Sequence, residues 1–155
     1  MGRLILPNSG PLYFDANVAI YRFEGIEPYA SASEPLWEAL QNQSLPIITS
    51  ELTLLEVLVK PMREGNTSLL AVFRKMLLDT QGLQCLIIDR KVLELAAQIR
   101  AKCRLKTADA IHAATALRAG ASLFLTNDKE FRRVPGLSVV ILAEVASTDP
   151  ETESG

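Results

Sequence analysis

Short apolar runs alternate with longer segments of helical periodicity along this chain. The runs have the length and apolar content of buried strands, and they lie at Leu12–Phe14, 45–49, 85–88, Leu123–Thr126 and 137–142. Strands separated by helices are joined by right-handed crossovers and form a sheet that is covered on both faces. The pattern therefore predicts an α/β fold with three layers, α/β/α, around a mostly parallel central sheet of about five strands.

Helix boundaries are marked by capping residues. Ser50, Asp89 and Thr107 are N-cap candidates, and Gly120 stands where a C′ glycine is expected. Apolar residues at helical spacing predict helices at 15–23, 35–43, 51–60, Thr67–Asp79, 90–100 and 108–119. The segment 61–65, which begins with Pro61 and ends with Gly65, is predicted to interrupt the third of these helices.

Composition bounds the class of protein. The chain has 155 residues, of which 48% are hydrophobic and 22% charged, as is typical of one globular domain. We expect that domain at 1–146, followed by a flexible acidic tail at 147–155. The net charge of -2 means that binding to a polyanion requires a local basic patch.

Cysteine content and hydropathy indicate the compartment. Cys85 and Cys103 are the only cysteines, too few for a disulfide scaffold and without metal-ligand spacing. No basic-then-apolar leader opens the chain, and no apolar stretch approaches the roughly 20 residues that a bilayer requires. We therefore expect a soluble, cytoplasmic protein that does not enter a membrane.

Four acidic residues occupy positions that a parallel sheet can bring together. Asp15 and Asp128 follow predicted strands, Asp109 lies in the first turn of a helix, and Glu56 lies inside another helix. Ligands of open α/β sheets bind beyond the carboxyl ends of the strands. Carboxylates that converge there need cations between them to stay ionised. The pattern predicts a divalent-metal site, and hydrolysis of phosphodiesters is the natural chemistry of such a site.

These segments resemble the PIN domain family, and most closely its VapC-type toxin ribonucleases. The segments that carry the resemblance are 14–17, 53–58, 106–116 and 125–131. The resemblance implies that Asp15, Glu56, Asp109 and Asp128 hold Mg²⁺ or Mn²⁺ for the cleavage of single-stranded RNA. Two further residues, Asn17 and Thr126, match supporting polar positions of the family, and Glu130, which replaces an Asp of many relatives, is expected to lie outside the metal ligands.

The resemblance also implies partners. A small antitoxin protein is expected to block the site, and the chain is expected to form a homodimer. The apolar helical hairpin at 52–78 is the predicted surface for either contact, although core packing also explains its apolar residues at helical spacing.

A basic run leads into the Asp109 helix. It consists of Arg100, Lys102, Arg104 and Lys106. These side chains either follow an RNA backbone near the metals or form a solvated helix end, where cations are also favourable. His112 lies one helical turn beyond Asp109, but a lone histidine among alanines is more often a core residue or a support behind the ligands. It is left out of the predicted catalytic set.

Other functions remain open at this point. Each acid has an ordinary local role available, as a turn residue, a helix-terminal charge or a solvated side chain. A haloacid-dehalogenase-type phosphatase would place a second Asp where the chain has Asn17, and a receiver domain would need an adjacent acidic pair. The alternatives that stay are a PIN nuclease of RNA processing and a metal-free binding module.

Overall fold

A computed structural model describes residues 2–147 and contains a five-stranded sheet among these residues. The strands are β1 (Leu12–Phe14), β2 (Ile47–Ser50), β3 (Leu83–Leu86), β4 (Leu123–Thr126) and β5 (Val139–Ile141). The helices are α1 (Ala16–Glu24), α2 (Tyr29–Ala32), α3 (Glu34–Asn42), α4 (Glu51–Glu64), α5 (Thr67–Asp79), α6 (Arg90–Cys103), α7 (Thr107–Arg118) and α8 (Leu142–Ser147), and a 3₁₀ helix spans Lys129–Arg133. The predicted acidic tail lies outside the described residues, except that Ser147 ends α8.

The sheet has the order β3-β2-β1-β4-β5, and every strand pair is parallel. The chain builds outward from β1 to β3 and then returns to the other side of β1 with β4 and β5. The strand order therefore reverses at β1, which is where open α/β sheets form a crevice for ligands. The residues that follow β1 and β4 lie beside this crevice.

Alternating side chains give the sheet a core on each face. Phe14 and Leu125 pack into one cluster with α1, α3 and α5, whereas Tyr13 and Phe124 pack into a second cluster with α6 and α7. All four side chains are fully buried. Strand residues point alternately to opposite faces, so a sheet that buries both sets must be covered twice. The predicted three-layer α/β/α fold is confirmed.

Helix α7 approaches the sheet closely because its buried face consists of small residues. Ala110, Ala113 and Ala114 are fully buried in the second cluster. The turn before α7 is closed by Arg104, which has a positive φ of 58°, and by the Arg100 guanidinium, which donates to the Leu105 carbonyl at 3.1 Å. This packing places the first turn of α7 at the carboxyl edge of the sheet.

The predicted end of α4 and the predicted N-cap of α7 were wrong. Helix α4 continues through Pro61 and ends at Gly65, whose φ of 65° provides the left-handed C-cap. Pro61 lies in the last turn, is buried, and removes only one amide donor, so the packing of α4 outweighs the lost hydrogen bond. The N-cap of α7 is Lys106 rather than Thr107, and its backbone carbonyl accepts from the Ala110 amide.

Three short elements were not predicted, namely α2, α8 and the 3₁₀ helix. Each has six residues or fewer, which is too short to show a hydrophobic period. No helix in the range 2–147 has the length and apolar character needed to cross a membrane.

Candidate metal centre

Asp15 lies at the point where β1 ends and α1 begins. Its backbone is extended, and its side chain makes no capping hydrogen bond to the helix, so local helix capping does not account for the carboxylate. The Thr126 hydroxyl donates to Oδ2 at 2.5 Å, and Thr126 Oγ1 in turn accepts from the Asp128 amide at 3.1 Å. The other oxygen, Oδ1, is buried and has no hydrogen-bond partner among residues 2–147.

Burial makes the Asp15 charge unfavourable. The side chain is only 6% exposed, and burial raises the pKa of its carboxyl from 3.8 to about 6. The nearby His112, the Thr126 hydroxyl and the Val18 amide lower this pKa, and the charge of Glu56 raises it. A buried carboxylate with an unpartnered oxygen is a ligand that a cation would stabilise.

Three further carboxylates form a tight group next to this point. Asp109, in the first turn of α7, Asp128, just after β4, and Glu130, in the 3₁₀ helix, each place a ligand atom within 4.8 Å of the other two. Asp128 also caps the 3₁₀ helix, because its Oδ1 accepts from the Glu130 amide at 2.9 Å. Burial raises the pKa of Asp109, and the charge of Asp128 raises it further.

Glu56 reaches the same edge from α4. Its Oε1 lies 2.5 Å from Nε2 of His112, and Nδ1 of His112 lies 2.6 Å from the Tyr13 hydroxyl. The charge of Glu56 raises the pKa of both Asp15 and Asp109, so its carboxylate lies near theirs. The structure thus brings the four sequence-predicted acids to one edge of the sheet.

The arrangement differs from the predicted quartet in one respect. Glu130 was expected to lie outside the ligands, but its carboxylate belongs to the tight group, whereas Asp15 and Glu56 lie outside that group. The signal that could have indicated Glu130 is its spacing, since it follows Asp128 by two residues in a turn that Asp128 itself caps.

The predicted supporting residues have different surroundings. Thr126 is fully buried and links Asp15 to the Asp128 backbone, whereas Asn17 is exposed on α1. The basic run, composed of Arg100, Lys102, Arg104 and Lys106, is exposed along its whole length at the end of α6 and the start of α7. Lys106 is the residue of this run nearest in sequence to Asp109.

The donor set fits a divalent cation. Mg²⁺ and Mn²⁺ prefer carboxylate oxygens, and the site offers three clustered carboxylates, a fourth from α4 and the free oxygen of Asp15. Among residues 2–147, no cysteine belongs to a candidate ligand group, so the chemistry of the donors favours a hard cation over zinc.

Solved structures share this fold. A toxin-antitoxin complex from Klebsiella pneumoniae is 24% identical with a TM-score of 0.62, and the match covers 84% of this chain and 97% of that chain. A DNA-bound VapBC structure from Salmonella typhimurium is 22% identical with a TM-score of 0.67, covering 85% and 98%. FitAcB from Neisseria gonorrhoeae is 21% identical with a TM-score of 0.57, also covering 85% and 98%.

Sequence comparison identifies the family. A search of curated proteins finds no match to this chain. The family model of the PIN domain, however, matches residues 12–137, which include all of the acidic residues described above. The chain belongs to the PIN domain family.

Proposed function

We propose that this protein is a divalent-metal-dependent endoribonuclease that hydrolyses single-stranded RNA and acts as the toxin of a toxin–antitoxin pair. The observation that carries the proposal is the tight group of Asp109, Asp128 and Glu130 at the carboxyl edge of a PIN fold, in which the nearby Asp15 also has a buried oxygen, Oδ1, without a hydrogen-bond partner among residues 2–147. Clustered like charges with a buried free oxygen are unfavourable in an unliganded protein and favourable around a cation. Phosphodiester hydrolysis is the chemistry that such a centre performs.

Each acidic residue has a defined task in this proposal. Asp109, Asp128 and Glu130 would hold Mg²⁺ or Mn²⁺ together with Asp15 and Glu56. The bound ion would supply the positive charge that stabilises the phosphorane-like transition state and lowers the pKa of an attacking water. Thr126 fixes the Asp15 carboxylate by its hydrogen bond to Oδ2, which leaves Oδ1 free as a ligand. No side-chain nucleophile is required.

Substrate binding is assigned to the basic run. The exposed Arg100, Lys102, Arg104 and Lys106 lead into the helix that carries Asp109, so RNA bound to them would be held next to that helix. Lys and Arg bind backbone phosphates without reading sequence, and such binding weakens as salt rises. Because the net charge of the chain is -2, attraction of RNA depends on this local basic run.

A protein partner and a second copy complete the proposal. Structures with the same fold include toxin–antitoxin complexes, which supports a small antitoxin as partner. The hairpin of α4 and α5 exposes apolar side chains that suit a protein contact, with Leu55 60% and Met62 53% exposed. We also assign the protein to the cytoplasm, because Cys85 and Cys103 are both free thiols.

Cleavage of a labelled single-stranded RNA tests the activity. With Mg²⁺ or Mn²⁺ we expect products with 5′-phosphate and 3′-hydroxyl ends, and with EDTA we expect none. Asp109→Asn and Asp128→Asn should each lower kcat at least about 100-fold, because each removes a carboxylate ligand. Asp79→Asn, an exposed acid at the end of α5, is the matched control and should cleave normally.

Three results would contradict the proposal. Cleavage that persists in EDTA, or in Asp109→Asn, would mean that the carboxylates are not a catalytic metal centre. Failure of the wild-type protein to bind Mn²⁺ in a calorimetric titration would favour the metal-free binding module instead. Release of cleavage activity when a co-purified antitoxin is removed would distinguish a toxin from a nuclease of RNA processing.

A further inference from the structure

His112 is the only histidine of the chain, and its imidazole lies between two oxygen atoms. Nδ1 is 2.6 Å from the Tyr13 hydroxyl, and Nε2 is 2.5 Å from Oε1 of Glu56. The residue is 2% exposed, so it has no direct access to solvent or to an RNA chain. The proposed nuclease mechanism gives it no task.

The side chains of Tyr13, His112 and Glu56 form a chain of hydrogen bonds that runs from the core to the acidic edge of the sheet. An ionised carboxylate only accepts hydrogen bonds, so the short contact with Glu56 requires a proton on Nε2. Nδ1 is then left to pair with the Tyr13 hydroxyl, which can donate to a bare ring nitrogen or accept from a protonated one. The hydrogen-bond geometry therefore places a proton on Nε2 of His112.

Tyr13, at the inner end of this chain of hydrogen bonds, is held rigidly. The Tyr13 ring stacks on Phe124, with centroids 4.9 Å apart and planes inclined by 6°, and it meets the His112 ring edge-on at 5.9 Å. Both aromatic residues are fully buried strand residues. Thus a fixed strand side chain orients the imidazole.

Glu56, at the outer end of this chain of hydrogen bonds, depends on His112 for its orientation. Glu56 extends from α4 with its side chain 34% exposed, and His112 is the only residue within 2–147 that hydrogen-bonds to its carboxylate. A long acidic side chain at that exposure would otherwise sample several rotamers. Residues that orient a metal ligand from behind commonly change metal affinity or activity 10- to 100-fold when they are removed.

We propose that His112 is a positioning residue, which, held by Tyr13, donates from Nε2 to Glu56 and fixes that carboxylate at the metal centre. The proposal rests on the proposed metal-dependent activity of the same site. It adds a contact between α7 and α4 that connects the two helices through the centre. Its role is to orient a ligand, and His112 itself contacts neither metal nor RNA.

Mn²⁺ binding and steady-state RNA cleavage test this role in four variants. His112→Leu should weaken Mn²⁺ binding and lower kcat by about 10- to 100-fold, with KM for RNA unchanged because the residue is buried. His112→Gln should recover part of the loss, since its amide can donate to Glu56. Tyr13→Phe should give a smaller loss, below about 10-fold, because the hydroxyl that pairs with Nδ1 is removed while the Nε2 contact with Glu56 stays.

Thr115→Ala is the matched control. Thr115 is also buried on α7, and within residues 2–147 its hydroxyl donates only to the Ile111 carbonyl of the same helix. It should bind Mn²⁺ like the wild type. If His112→Leu does not fold, Tyr13→Phe still tests the proposal, since it keeps the aromatic ring.

The single histidine also provides a signal that does not depend on activity. A long-range ¹H–¹⁵N correlation spectrum of the metal-free protein should show a proton on Nε2, and a proton on Nδ1 alone would overturn the proposal. Mn²⁺ affinity of His112→Leu within twofold of that of Thr115→Ala would overturn it as well. If the wild type binds Mn²⁺ but cleaves no RNA, a loss of Mn²⁺ affinity in His112→Leu still supports positioning, and only the proposed nuclease function fails.

Discussion

Asp15 is a buried carboxylate whose two oxygens have different surroundings. Oδ2 accepts a hydrogen bond from Thr126, whereas Oδ1 has no partner within residues 2–147. A buried charge without full compensation raises its own pKa and lowers the stability of the fold. The residue therefore reports directly on whether a cation belongs in the site.

The first prediction concerns the pH dependence of stability in the metal-free protein. The pKa of Asp15 is about 6 when folded and near 3.8 when unfolded, so the folded state binds more protons between these values. In EDTA, the free energy of unfolding should fall as pH rises from about 4 to about 7, by at most roughly 3 kcal/mol from this residue. Asp109, whose pKa is also raised, adds to the same slope. Urea unfolding at a series of pH values measures the effect.

The variant Asp15→Asn isolates the contribution of Asp15 to the pH dependence of stability. The variant should lose RNA cleavage, remain folded and show a shallower fall of stability with pH, because Asn does not titrate. Asp79→Asn should keep the wild-type slope, since it changes an exposed acid away from the site. An Asp15→Asn slope equal to that of the wild type would show that the carboxylate is not strained by burial.

At the scale of elements, α7 is placed by its small residues. Ala110, Ala113 and Ala114 are fully buried against the sheet and α6, so the helix axis lies close to the strands. The same rigid element carries Asp109 in its first turn and His112 one turn later. A change in the distance between α7 and the sheet should therefore move Asp109 and His112 together.

The second prediction is that Ala113→Leu displaces α7 and weakens the centre. Extra methylene groups in a packed core cost about 1–3 kcal/mol of stability. The shift should also lower Mn²⁺ affinity, because Asp109 moves away from Asp128 and Glu130. Chemical unfolding and calorimetric titration measure the two effects.

Ala97→Leu provides the comparison on α6, where Ala97 is exposed. Ala97→Leu should leave the free energy of unfolding and the free energy of Mn²⁺ binding within about 0.5 kcal/mol of the wild-type values. Unchanged Mn²⁺ affinity in a folded Ala113→Leu protein would mean that the depth of α7 does not control the site.

At the scale of the whole molecule, the parallel topology assembles the site from distant parts of the chain. Asp15 and Asp128 follow β1 and β4, which are neighbours in the sheet although more than 100 residues separate the two acids in sequence. Helices α4 and α7 bring Glu56 and Asp109 to the same edge from opposite faces of the sheet. The hairpin of α4 and α5 leaves its apolar outer residues uncovered in the single chain.

The third prediction is that this hairpin mediates self-association. Replacing both Leu55 and Met62 by Asp should shift the protein to a monomer, because charges would then face an apolar contact. Size-exclusion chromatography with light scattering measures the mass. Leu93→Asp, which changes an exposed apolar residue on α6, should leave the mass unchanged. A wild-type protein that is monomeric at all concentrations would contradict this prediction.

Much of the fold could be predicted because local signals were strong. Leu12–Phe14, Thr67–Asp79 and Leu123–Thr126 have their predicted bounds, and the Ser50 and Asp89 side chains accept the capping hydrogen bonds expected of them. The prediction failed where packing outweighs local preference, as at Pro61. The position of Glu130 could not be predicted either, because its carboxylate joins those of Asp109 and Asp128 through the 3₁₀ turn that carries it.

The sequence by itself determined the α/β class and indicated that Asp15 and Asp128 follow strands, because hydrophobic period, capping residues and strand ends are local properties that the printed chain contains. Only the tertiary structure decided how those acids are arranged. The free oxygen of Asp15, the grouping of Glu130 with Asp109 and Asp128, and the support of Glu56 by His112 all depend on contacts between elements far apart in the chain. Such contacts arise from the packing of α4 and α7 at one edge of the sheet, and hydrophobic spacing within a helix does not specify how two helices meet.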